Sequence, residues 1–561
     1  MRCQNSNGVL SDNYCMNKSV EQLKTWIRDM AALIEKDEDP NPEFYTWFLQ
    51  DPILALSLVD LIGGLDEKQL DDNRAYYSAC IFALDICVAQ LQSAIEGGNK
   101  LASKMMHQLM DYMAKTIANE KHSLSFWLPI LNAFYEVHTE LSDELKDAYL
   151  DLANEEDDLS PEEELSHLDS IRDLIQELSD LSVFDIAENF FAQSYAMPPD
   201  FFSDLITDLY SIDEGADIAL LALLHPKQDV RDVVVATFDH LLPNITLSSV
   251  SLSRLQAIQH WYPKHYHPQF NRWIKAQRKK GVVFMPSTTP TTTLRLKASE
   301  VDGSGAQGIF IHLRKQRKNR LCGLLFKQQV GIKDAWITPH ISRADVAHYY
   351  DEAFDDSVML RDVDMPYLLM MTNHFLSKTI DQGSMPDLHL LEIQEELGFY
   401  FLPERLNVDY IIEELGVQIS PFTPEAMRES LKRSKSWPKN KRFTESWYVE
   451  NAQVDKLVNR CSSFIDGAKI CRVDEAMQAI FTFEMESKRE HWVFHFLWIT
   501  LWLKSRSRKN EKAWQDSFFI VYAIQSGMPL DSIPIMQEIC RDSVFNSIDT
   551  MQERRTHLNQ E

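Results

Sequence analysis

Residues 219–242 read ALLALLHPKQDVRDVVVATFDHLL, and residues 255–281 read LQAIQHWYPKHYHPQFNRWIKAQRKKG. Each stretch is an apolar run, a short turn containing proline, and a second run whose apolar residues recur three and four apart. That spacing places them on one face of a helix. Two helices joined so tightly cannot bury their apolar faces alone and must pack on neighbours. The fold class these stretches predict is mainly α, with helical hairpins in a solenoid-like or multi-bundle arrangement.

The same periodicity extends in both directions. Ser19 and Gln22 have the spacing of a capping box and predict a helix start, followed by Val20, Leu23, Trp26, Ile27 and Met30. Cys80, Leu84, Cys87, Val88, Leu91 and Ile95 share a second helix face, with Gly97-Gly98 as its stop. Met105, Leu109 and Met113 share a third, and Ser160-Pro161 opens a fourth. Near the other end, residues 492–503 (WVFHFLWITLWL) are apolar on every side, which predicts a helix at the centre of a bundle. This run falls well short of the roughly 20 residues a bilayer span needs.

The first hairpin carries Asp229 in its turn and Val230-Arg231 entering its second helix. In this it resembles a HEAT-type repeat. The second hairpin keeps the layout but lacks the Asp and the Val-Arg pair. The resemblance implies a stacked array presenting an extended surface to other proteins.

After the Pro/Thr-rich stretch 285–293 the period changes from 3.6 to 2. Leu294, Leu296 and Ala298 alternate with Arg295, Lys297 and Ser299, DGSGAQG (302–308) supplies a turn, and the apolar runs 309–313 and 321–326 flank RKQRKNR. This predicts one small antiparallel β-meander insert of three strands. The expected domains are an acidic N-terminal helical domain (1–181), HEAT-like hairpins (182–285), the β-insert (286–340) and a C-terminal helical domain (341–561).

A chain of 561 residues exceeds what one hydrophobic core sustains. None of its eight cysteines forms a C-x-x-C pair, which argues against a zinc ribbon or redox motif and suits a reducing compartment. The first residues show no basic segment leading into an apolar run, so no signal peptide is expected. The expected location is cytoplasmic, without a membrane partner.

The charge is uneven. Residues 1–215 hold 13 Lys+Arg against 42 Asp+Glu, a net of −29, while the whole chain is −28. The acidic part repels polyanions. The basic runs all lie in the remainder: 272–280 (RWIKAQRKK), 314–320 (RKQRKNR) and 428–442 (RESLKRSKSWPKNKR). Within the last two, Arg314, Lys315, Arg317, Lys318, Lys432, Arg433, Lys435 and Trp437 are candidates for binding an anionic ligand or partner. Cations pair with phosphates, and an indole could stack on a base.

Asp345, His348 and Glu352 fall at i, i+3 and i+7 on a helix that begins near Ser342. Carboxylates and an imidazole on one face can hold a divalent cation. The same residues also read as a capping box, Ser342 with Asp345, followed by a solvated face. The imidazoles of His260, His265 and His267 sit in an aromatic turn without regular ligand spacing, which reads as packing. Gly303-x-Gly305-x-x-Gly308 matches a dinucleotide pattern, but a strand rather than a helix follows it, so it reads as a hairpin turn. No Walker A, G-x-S-x-G or H-E-x-x-H motif occurs. No cofactor is expected. The function these observations favour is a non-enzymatic scaffold or adaptor with a protein partner. The alternatives are a metal-dependent hydrolase using helix 342–356 and a nucleic-acid-associated protein using the basic runs.

Overall fold

The computed structural model describes residues 8–36, 54–70, 73–96, 99–119, 122–156, 161–285, 292–315, 318–353, 359–437, 447–465, 468–506 and 513–558. The fold is mainly α with a small five-stranded antiparallel sheet and a separate two-stranded hairpin. The chain divides into two compact units, Met1–Thr237 and Phe238–Glu561.

In the first unit the helix Arg74–Glu96 runs through the core. Ala79, Cys80, Ala83, Leu84, Cys87 and Val88 are almost wholly buried against helices Gly8–Ile34, Leu54–Gly63, Lys100–Asn119 and Asn132–Glu136. Among the described residues this is the one helix long and apolar enough to cross a membrane, and 44% of its most apolar window is buried against protein. Met105, Leu109 and Met113 are buried together as their spacing implies. The first helix begins at Gly8, so Ser19 lies inside it and does not start it. Gly97-Gly98, Ser160 and most of the Pro/Thr stretch lie outside the described residues.

The hairpin at 219–242 is a helix (Ala216–Leu221) tightening into a 3-10 turn, then Pro226, then the helix Gln228–Leu241. Arg231 explains the turn's stability. Its guanidinium is buried and donates to the carbonyls of His225 (2.7 Å) and Pro226 (2.6 Å). A buried charge is tolerated because it saturates carbonyls the turn leaves unpaired.

In the second unit the hairpin Ser249–Trp261 and His267–Lys279 encloses the aromatic turn. Trp261 is fully buried, and His267 Nε2 contacts the Tyr262 carbonyl at 2.8 Å. His267 therefore serves the turn's geometry, while His260 and His265 are exposed.

The sheet has five strands, not three. Strands β1 (Thr292–Ser299), β2 (Ala306–Lys315), β3 (Lys318–Lys327) and β4 (Gly331–Ile337) form a meander, and β5 (Leu360–Asp362) pairs on the far side of β1. The strand β4 does not alternate cleanly because the register shifts between Leu325 and Phe326, and three-residue β5 is too short to show a period. A second hairpin, β6 (Ser462–Ile465) with β7 (Ala468–Cys471), interrupts a region whose sequence reads as continuous helix. The glycine pattern 303–308 covers the β1–β2 turn and the start of β2, in which Gly308 lies. Gly305 takes φ +77°, and Asp302 Oδ1 accepts from Ala306 N at 2.7 Å.

One face of the sheet, with Leu296, Ala298, Ile309, Ile311, Leu324 and Phe326, is buried. The helix Met365–Asp381 packs on it, with Phe375 stacked on Phe326 at 4.8 Å. The helix Arg489–Lys504, which contains WVFHFLWITLWL, is buried almost throughout, as expected of a bundle centre.

A polar junction lies inside this apolar contact. Gln307 Oε1 on β2 accepts from the Tyr367 hydroxyl (2.7 Å) and from Trp498 Nε1 (3.0 Å), while Gln307 Nε2 donates to the Ser299 carbonyl (2.8 Å). All three side chains are buried. A half-satisfied network in such a place costs more than an apolar one. Gln307→Leu is therefore expected to destabilise the second unit by about 2–3 kcal/mol in urea unfolding of the full chain. The double variant with Tyr367→Phe should be less destabilised than the sum of the singles. Strict additivity would show that the junction is not coupled.

Candidate protein-binding surface

The helix Leu388–Leu397 ends at Gly398, whose φ of +69° is the left-handed cap that glycine adopts without strain. Pro403 follows closely and disfavours a further helix there. The backbone beyond Gly398 is instead pinned by side chains from elsewhere in the second unit. Gln394 Oε1 accepts from Phe401 N (2.8 Å), Asn373 Oδ1 from Leu402 N (2.9 Å), and His374 Nδ1 from Leu406 N (3.1 Å). Glu404 N donates to the Asn373 carbonyl at 3.1 Å, and Trp261 Nε1 donates to the Phe401 carbonyl at 3.0 Å. Asn407 then caps the helix Val408–Val417 by accepting from Tyr410 N at 3.1 Å.

Phe401 turns inward and is buried, but its neighbours do not. Phe399 is 45% exposed, Tyr400 50% and Leu402 41%. On the following helix Tyr410 is 61% and Val417 89% exposed. These two residues are seven apart with Glu413 and Glu414 between them, all on one solvent-facing side. The result is a hydrogen-bonded backbone presenting large apolar side chains to water, followed in the chain by the exposed carboxylates of Glu404, Asp409, Glu413 and Glu414. The neighbouring Arg405 is matched by Asp381, with Nη2–Oδ2 at 2.7 Å.

The other candidate residues fall elsewhere. Ser342 and Asp345 form the capping box that opens the helix Arg343–Ala353. Asp345 Oδ2 accepts from Ser342 N at 2.7 Å, and Ser342 Oγ accepts from Asp345 N at 3.2 Å. These bonds, helped by His348, hold the Asp345 carboxyl below its usual range. His348 is exposed one turn on, and the side chain of Glu352 lies outside the described residues. The other side of that helix covers the sheet. Tyr349 packs on Trp336 at 5.3 Å, Lys297 Nζ sits 4.7 Å from the Tyr350 ring, and the Trp336 indole lies so close over Gly323 that no Cβ would fit there.

Arg314, Lys315 and Lys318 are exposed at the β2–β3 end; the imidazole of His340 is held below its ordinary value by burial and by Lys318, Arg320 and Lys315, and Arg317 lies outside the described residues. Trp437 requires a correction as a stacking residue. It is buried, with its ring 6.3 Å from that of the buried Trp447, whose indole N–H donates to the Val301 carbonyl at 3.1 Å. A tryptophan enclosed in this way anchors its segment and presents no face to a base. On the same segment Arg433 pairs with Asp516 (2.5 Å) and Lys432 with Glu429 (3.2 Å), while Lys435 is exposed.

Two family models match this chain. Residues 198–281 are similar to the Y4lR second domain and residues 409–548 to the Y4lR C-terminal helical domain. The chain is also 23% identical over 247 residues to the uncharacterized protein y4lR of Sinorhizobium fredii (strain NBRC 101917 / NGR234), an alignment covering 44% of this chain and 45% of that protein. The match thus spans less than half the length of that relative. No solved structure matches. The exposed helix Val408–Val417 lies almost wholly within the C-terminal match, whereas Phe399, Tyr400 and Leu402 precede it.

His374 must be neutral to accept the Leu406 N–H. Burial, then Arg405 and Lys378, lower its pKa from 6.5 to about 4. Between those values the unfolded chain binds a proton that the folded chain excludes, so stability is lost as pH falls from about 6.5 toward 4. At pH 5 this term alone amounts to about 2 kcal/mol. His374→Asn, which keeps an acceptor but does not titrate, should reduce the stability loss between pH 7 and pH 5 by about that amount in urea titrations. An unchanged loss would contradict the neutral acceptor.

Proposed function

We propose that the protein is a non-enzymatic binding scaffold whose second unit docks a basic segment of a partner protein through apolar anchors. The observation that carries this reading is the pinned stretch with Phe399, Tyr400 and Leu402 held out in solvent. Exposed aromatic side chains on an ordered backbone lose little conformational entropy on binding, and clustered large apolar groups are what protein interfaces desolvate. The carboxylates of Glu404, Asp409, Glu413 and Glu414 give the surface a negative rim. They favour a partner carrying Lys or Arg around its apolar residues and steer its approach. The HEAT-type resemblance of the hairpins at 218–281 is part of the same proposal, since arrays of that kind act as scaffolds. A cytoplasmic setting belongs to it as well, on the strength of cysteines that stay unbridged among the described residues.

A second reading has one observation in its favour. Arg314, Lys315 and Lys318 are grouped and exposed at one end of the sheet, which suits an anionic ligand.

The main reading is tested by selecting a random peptide library on the full chain. Enriched peptides should carry basic residues around two or three apolar ones. Their affinity for the triple variant Phe399→Ser, Tyr400→Ser, Leu402→Ser should fall about tenfold or more, with the melting temperature unchanged because these side chains stabilise little in the free protein. Absence of enrichment, or equal capture by the variant, would refute the surface as a docking site.

A further inference from the structure

The first unit contains an apolar pocket that is open to solvent on one side. It lies between the end of the helix Gly8–Ile34 and the start of the helix Arg74–Glu96 and has a volume of about 340 Å³. Two facing stripes form it. Met30, Leu33 and Ile34 occupy positions i, i+3 and i+4 of one helix, and Ser78, Ile81, Phe82 and Asp85 occupy i, i+3, i+4 and i+7 of the other. Stripes with this spacing ordinarily interlock to interior density. Here they leave room for on the order of ten waters, at the lower end of the range typical of small-ligand sites.

The walls are apolar, and the polar groups on them are few. Ser78 brings a hydroxyl and Asp85 a carboxylate. Asp85 Oδ1 is shielded from solvent and has no hydrogen-bond partner. A packed core would place an aliphatic residue at such a position, because a carboxylate there is costly without a donor. Burial, with a smaller contribution from Glu136, raises the Asp85 carboxyl to about 7. The neighbouring charge that adds to this shift is another acid, Glu136, so its field opposes the ionised carboxylate. An apolar pocket of molecular size, open to solvent on one side and with one unmatched acceptor on its wall, has the composition of a site for a small organic cation.

We propose that this cavity binds a small primary amine with an aromatic or branched aliphatic body, the ammonium group pairing with Asp85 and the body filling the space between Met30, Leu33, Ile81 and Phe82. The ammonium supplies the donor that Asp85 Oδ1 lacks, and charge-assisted hydrogen bonds are the stronger kind. Ser78, two turns before Asp85 on the same face, offers a second acceptor. The site lies wholly within the first unit and is independent of the docking surface described above.

The test uses three probes of one shape, 4-fluorobenzylamine, 4-fluorobenzyl alcohol and 4-fluorotoluene, titrated against the full chain and observed by fluorine NMR. The amine should bind about tenfold or more tightly than the other two. It should raise the melting temperature of the wild type. Asp85→Asn, which preserves shape and relieves the buried charge, should fold at least as well. It should lose the preference for the amine while keeping residual affinity for the toluene. Equal binding of amine and toluene by the wild type, an amine affinity unaltered in Asp85→Asn, or no binding of the amine at millimolar concentration would each overturn the proposal.

Discussion

The second unit is organised around one buried acceptor, the amide oxygen of Gln307. It sits on the inner face of β2 and receives donors from two helices, Tyr367 near the start of Met365–Asp381 and Trp498 midway along Arg489–Lys504. Apolar contacts alone would let those helices slide, because they are non-directional. A shared hydrogen-bond acceptor fixes their position along the sheet. Further contacts extend the constraint along Met365–Asp381. Phe375 stacks on Phe326 of β3, and Thr379 Oγ1 accepts the Ile332 amide of β4 at 2.9 Å. One side of this helix is thereby locked to the sheet, and Asn373 and His374 are held where they can receive the chain that leaves Gly398.

The docking surface is a consequence of that order. Extended backbone over residues 399–407 has no ladder of its own, so its amides need partners. Asn373, His374 and Gln394 provide them, and Trp261 satisfies a carbonyl. The same bonds decide which side chains face outward. Phe401 is turned inward with its N–H and C=O both engaged, while Phe399, Tyr400 and Leu402 are left in water. Their exposure is thus a product of hydrogen bonding elsewhere and not of local looseness. His374 can serve only while neutral, which ties the geometry of the surface to pH through a largely buried residue.

Much of the helical framework was legible in the sequence because it rests on period alone. The face of Cys80, Leu84, Cys87 and Val88, the stripe of Met105, Leu109 and Met113, and the all-round apolar run at 492–503 are buried as their spacing implies. Local signals misled where a longer element overrode them. The Ser19–Gln22 pattern sits within a helix already begun at Gly8. The strands β4 and β5 and the hairpin β6–β7 escaped notice because a register shift, or a length of three or four residues, leaves no period to read. The basic runs were visible as composition, but sequence could not show that Trp437 is enclosed. The exposed stripe was hidden for a different reason. FYFL is what a core segment looks like, and the residues that hold it outward include Asn373 and Trp261, both remote in sequence. Gly398 followed by aromatics and Pro403 was the available hint of an ordered, non-helical apolar segment.

The central claim is that this apolar surface is held rigid before any partner arrives. Amide hydrogen exchange of the full chain at neutral pH measures that directly, through peptides covering residues 399–407. The hydrogen bonds to Asn373, His374 and Gln394 predict exchange of the Phe401, Leu402, Glu404 and Leu406 amides as slow as in the helix Met365–Asp381. Exchange at the rate of an open loop would contradict the account, because the surface would then have to be ordered by its partner.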